Sequence, residues 1–108
     1  MTDRPHLPVA CTLSGPDLAT RRAGLLNDLG GRRREARWLP EGITLRYSSE
    51  AGTLALLGEF IHLESRCCPF LRFQLTVEPG GDPIWLELTG PPGTREFLAR
   101  EIGAREST

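Results

Sequence analysis

No lysine occurs anywhere in the 108 residues, and all 13 basic side chains are arginine. That excludes every chemistry that needs a lysine amine, whether Schiff-base formation, P-loop phosphate contact or an acylation base. A surplus of one charge sign is lacking too. The 13 basic residues face 14 acidic ones for a formal net charge of -1, too small a field to gather nucleic acid or an anionic membrane, and Arg32, Arg33 and Arg34 make only a local basic spot. No apolar run approaches the roughly 20 residues of a membrane-spanning helix, and Met1-Thr2-Asp3-Arg4-Pro5-His6 lacks the apolar core of a secretion signal. The expectation is a cytoplasmic protein with no nucleic-acid or membrane partner, its oligomeric state left open. Histidine is scarce: His6 falls in a terminal tail and His62 on a wet helix face. A Cys–His catalytic pair is therefore poorly supported, and Ser14, Ser48, Ser49 and Ser65 have no evident base beside them. Gly30-Gly31 follows a helix instead of a strand, so no phosphate-cradling loop points to a nucleotide cofactor.

What remains is an ordinary soluble composition, 39% hydrophobic and 25% charged, enough for one domain over residues 1–108 with an ordered core of about 7–103. Three cysteines, Cys11, Cys67 and Cys68, are an odd number with two adjacent, a pattern that argues for free thiols over a disulfide framework.

Leu7–Leu13 reads as a short strand. Pro16 opens a helix whose apolar stripe is Leu18, Leu25, Leu26 and Leu29 and whose end is Gly30-Gly31. Arg34–Leu39 and Ile43–Tyr47 read as a hairpin around Pro40-Glu41-Gly42. Ser48 or Ser49 is placed to cap a second helix running to Cys67 or Cys68, where Pro69 stops it. Leu71, Phe73, Leu75 and Val77 alternate with polar residues, and Pro79–Pro83 turns the chain back into Ile84, Leu86 and Leu88. Pro91-Pro92-Gly93-Thr94 opens a last helix with Phe97, Leu98 and Ile102 inward. The expected fold is α+β, a two-layer sandwich of mainly antiparallel sheet with helices on one face, in the order β-αββ-αββ-α. The order suggests a duplicated αββ unit without convincing sequence identity. Trp38 and Trp85 read as packing anchors and Arg32–Arg34 as a solvated strand edge.

On a helical wheel at about 100° per residue, Leu54, Leu57, Ile61 and Cys68 share one line and Leu56, Phe60, Leu63 and Cys67 the next. Glu64 falls inside that buried arc, with Glu59, His62 and Arg66 opposite. A buried carboxylate needs a cation, a metal, donors or a proton. Arginine is one answer, with Arg21, Arg22 or Arg72 as candidates. Sulfur is the other neighbour: Glu64 precedes Cys67 and Cys68 by three and four residues, a spacing that brings side chains together on one helical face. Thiolates prefer soft and borderline ions, and Cys11 offers a third sulfur, so Cys11, Glu64, Cys67 and Cys68 form a candidate four-ligand set for Zn, Hg, Cd or Cu(I). Adjacent cysteines point the same way only with local unwinding, for which Pro69 provides the place. The plain alternative is that all three cysteines are small buried hydrophobes.

Cys11-Thr12-Leu13, the helix bearing Arg21 and Arg22, Glu64-Ser65-Arg66-Cys67-Cys68-Pro69-Phe70 and the hairpin Phe73–Leu88 together resemble a group of small bacterial Cys-Cys-Pro-Phe proteins that occur alone or fused to MerR-like metal-responsive regulators. The resemblance spans about residues 9–99 and implies an association with heavy-metal or mercury handling, carried on Cys11, Cys67, Cys68 and Glu64. No DNA-binding helix-turn-helix is present, so the regulator function does not transfer. The first expectation is thus a thiol protein that binds a soft metal ion or small thiol-reactive ligand in sensing, buffering or resistance. A thiol-dependent redox or detoxification enzyme using the vicinal pair, and an interaction module with structural cysteines, are the alternatives.

Overall fold

Proline and glycine punctuate the chain much as their backbone preferences dictate. A computed structural model describes Val9 and residues 15–103. Helix α1 spans Pro16–Arg32, strand β1 Arg33–Leu39, β2 Gly42–Tyr47, helix α2 Thr53–Cys67, β3 Arg72–Val77, β4 Ile84–Thr89 and helix α3 Thr94–Ile102, with a short 3-10 turn at Pro79–Gly81. The architecture is α+β, with three helices and a four-stranded antiparallel sheet in the order β1-β2-β4-β3. The strand expected over Leu7–Leu13, Cys11 within it, lies outside the described residues apart from Val9.

The two hairpins, β1–β2 and β3–β4, meet through their second strands, Leu45 of β2 lying opposite Leu86 of β4. Each αββ segment therefore contributes one edge strand and one central strand. Alternation then sorts the side chains. Ile43, Leu45 and Tyr47 of β2 and Ile84, Leu86 and Leu88 of β4 join Leu25 and Leu29 of α1, Leu57 and Phe60 of α2 and Phe97 and Leu98 of α3 in one buried cluster. The other side of the sheet carries Glu35, Arg37 and Arg46, with Glu35 accepting from both arginines. There Thr44, Gln74, Thr76, Glu78, Trp85 and Glu87 line a groove of about 300 Å³. Trp85 thus belongs to that groove, whereas Trp38 packs against the core with Arg95 stacked over its ring at 5.6 Å.

Helix α2 starts later than Ser48 or Ser49. Gly52 takes the left-handed conformation before the first turn (φ 86°), one that glycine reaches without Cβ strain. Arg32 fixes that turn from the end of α1, donating to Ala51 O at 2.9 Å and to the fully buried Thr53 Oγ1 at 2.8 Å. Arg34 meanwhile reaches Ser48 and Glu50. The basic run is therefore a clamp on the segment leading into α2, not merely a solvated edge. Two leucines assigned to apolar stripes, Leu18 and Leu54, are 46% and 47% exposed; each stands in the first turn of its helix and takes no part in the core cluster. No helix among the described residues is long and apolar enough to cross a membrane.

Candidate functional site

Arg32 meets the first turn of α2 and Arg22 meets its last, so α1 and α2 lie antiparallel, and the site forms at the end where α2 stops. Glu64 is 3% exposed, as its place on the wheel requires. Its countercharge is Arg22: Nε donates to Oε2 at 2.7 Å and Nη2 to Oε1 at 3.1 Å, the two-pronged geometry that a guanidinium offers a carboxylate. Arg22 also turns Nη1 to Glu101 of α3 at 2.9 Å. One cation thus faces two carboxylates and ties all three helices together. The other candidates go elsewhere, Arg21 to Glu59 on the exposed side of the same helix pair and Arg72 to the surface. The Arg21 guanidinium holds the Glu59 carboxyl below the usual carboxylate range.

The thiols follow from how α2 ends. Cys67 is its last residue and Cys68 leaves helical geometry (φ -126°, ψ 73°) while its N–H still donates to Glu64 O at 2.7 Å. This unwinding ahead of Pro69 lets both neighbours turn inward, leaving Cys67 4% and Cys68 0% exposed. Cys68 Sγ donates to Glu64 Oε1 at 3.7 Å. The turn after it is held by Leu71 N–H donating to Cys68 O and by the rings of Phe70 and Phe97 meeting edge to face at 5.0 Å. His62 is exposed, as expected, and a small crevice of about 70 Å³ between Leu26, Leu29, Leu45, Phe60 and Ile102 has no thiol in its wall.

Of the expected set, Glu64, Cys67 and Cys68 are gathered at one end of α2, and Cys11 lies outside the described residues. Among the described residues no group of three or more His, Cys, Asp or Glu side chains is arranged to hold a metal ion. Glu64 already accepts from Arg22 with both oxygens and from Cys68 with one of them. Sequence reasoning missed Arg22 as the specific partner and Glu101 altogether; the acidic residue in the last turn of α3 was the available signal. It also missed Glu41, whose carboxylate accepts the N–H groups of Gly93 and Arg95 and so caps α3 from the first hairpin. No family model, curated protein or solved structure matches the chain.

Proposed function

We propose that this protein captures a soft metal ion or small thiol-reactive metal species through Cys67 and Cys68, with Glu64 taking the proton that Cys68 gives up. The supporting observation is the contact of Cys68 Sγ with Glu64 Oε1 at 3.7 Å inside a cluster where Arg22 faces both Glu64 and Glu101. Negative charge there exceeds positive charge by one. A proton passed from Cys68 to Glu64 leaves that sum unchanged, moves the surplus charge onto the sulfur where the incoming cation meets it, and lets Arg22 keep Glu101 as its partner. Two sulfurs with no hard ligand free beside them suit the mercury, cadmium and copper(I) class. The Cys68 sulfur–metal bond forms as its S–H proton moves to Glu64, the Cys67 bond forms as its S–H proton leaves to solvent, and the ion's previous ligands depart. In this reading the helices cover one sheet face in two layers, and Cys11, outside the described residues, is the candidate third sulfur.

Titration of the fully reduced chain with Hg(II) or Cd(II), followed by ultraviolet thiolate-to-metal absorbance and by proton release, tests it. One equivalent is expected to bind with absorbance that vanishes in the Cys67→Ser/Cys68→Ser variant. Glu64→Gln is expected to keep the stoichiometry and release more protons to the solution, because the internal acceptor is gone. Absorbance that is missing, or unchanged in the double serine variant of unaltered circular dichroism, overturns the reading and leaves the cysteines as packing residues.

A further inference from the structure

The two edges of the sheet are built differently. The β1 edge carries Arg33, Arg34, Glu35 and Arg37, and its register with β2 is broken between Arg33 and Glu35, features that discourage pairing with another strand. The β3 edge has no break in register and a single charged residue, Arg72 at its start. Arg72-Phe73-Gln74-Leu75-Thr76-Val77 runs in unbroken register with β4, and no described strand covers its outer side. Leu75 and Val77 are 39% and 45% exposed, although both lie on the apolar side of the sheet opposite the buried Leu86 and Ile84.

The hydrogen-bond phase of this edge is fixed. Glu78 N–H donates to Pro83 O at 3.1 Å, so the ladder bonds with β4 fall at Arg72, Gln74, Thr76 and Glu78. By antiparallel alternation the N–H and C=O groups of Phe73, Leu75 and Val77 then point away from the sheet.

From this edge we infer that the protein forms a symmetric dimer in which β3 pairs antiparallel with β3 of a second copy, centred on Leu75 opposite Leu75. In that register Phe73 lies opposite Val77 of the second copy, and every outward N–H and C=O of these residues finds a partner. The apolar side chains stay on the apolar side. On the other side Arg72 comes to lie opposite Glu78 of the second copy, at both ends of the interface, in the closer non-hydrogen-bonded type of pair. Neither Arg72 nor Glu78 has an ion pair among the described residues, so the second copy supplies the opposite charge each lacks. Other registers are poorer. Centring on Gln74 sets Val77 against Leu71, whose N–H is already given to Cys68 O, and Arg72 against Thr76. Centring on Thr76 sets Phe73 against Pro79, which has no N–H to give. The isologous pairing closes on itself and uses up the exposed edge.

Light scattering after size exclusion, over micromolar to sub-millimolar concentration, is expected to give twice the 11.9 kDa chain mass, with dissociation on dilution. Arg72→Glu and Glu78→Arg are each expected to weaken the dimer about tenfold, since each places like charges opposite one another twice. The Arg72→Glu/Glu78→Arg double variant re-forms both pairs with exchanged signs and is expected to recover the original affinity. Both positions lie at the margin of the sheet, and circular dichroism checks that each variant keeps the fold. A monomer at every concentration overturns the inference, whatever else holds the edge. So does a dimer indifferent to the single changes, or a double variant no better than either one.

Discussion

Arg22 and Glu64 meet edge to edge across the α1–α2 interface, Nε to Oε2 at 2.7 Å and Nη2 to Oε1 at 3.1 Å, with side-chain exposures of 12% and 3%. Removing one member of a pair this deeply buried strands the other charge, which costs about 3–5 kcal/mol, whereas replacing both with apolar groups of similar volume is commonly neutral or better. Arg22→Met is therefore expected to lower the unfolding free energy by about 3 kcal/mol or more in urea titrations. Arg22→Met/Glu64→Leu is expected to regain most of that loss. Equal losses in the single and double variants would show that Glu101 and Cys68 depend on the pair as much as the pair depends on itself.

Tyr47 gives an alkaline limit. Burial pushes its phenol from 10.0 up to about 12. Folding thus favours the protonated phenol, and the unfolded chain ionises first as pH rises. Stability is unaffected by this group below pH 10.0 and declines between there and about 12, by about 1.4 kcal/mol per pH unit. Tyr47→Phe is expected to flatten that decline in denaturant titrations at stepped alkaline pH; an unchanged slope would assign the alkaline loss to other groups.

Gly42 begins β2 opposite Thr89 of β4. A Cβ there would lie 2.2 Å from Leu88 O and 3.0 Å from Thr89 Cα, so the clash is with backbone that cannot rotate away. Gly42→Ala is expected to cost about 2 kcal/mol or more, in the manner of an overpacked core. Gly58→Ala on exposed helix surface, with nothing within 4 Å of the new carbon, is expected to stabilise by several tenths of a kcal/mol or more. Thermal unfolding of the two variants side by side checks both signs.

Where local chemistry decides, the chain is readable. Pro16, Pro69 and the alternation of Ile43, Leu45 and Tyr47 mark elements that form where expected, and a helical wheel suffices to bury Glu64. Where a residue's fate depends on what another element brings, the sequence is silent. Arg21, Arg22 and Arg72 were equal candidates because only the α1–α2 packing selects one. Leu18 and Leu54 match their apolar stripes yet remain outside the core, because periodicity carries no information on how far a helix is covered. Leu75 and Val77 alternate as a half-buried strand should, and nothing in that pattern tells an edge from a centre. Ser48 and Ser49 were credible caps by residue type, but the arginine reaching from α1 sets the start of α2 instead.

The central seam between β2 and β4 has a bearing on ancestry. A lone helix-and-hairpin half would end in an open central strand, unable to shelter its own oily face. Set against a twin in opposite orientation, it would complete a sheet of the strand order seen here. The architecture is the one that fusing two such self-complementary halves would leave behind, with their sequences free to drift once the backbone itself guaranteed that they met.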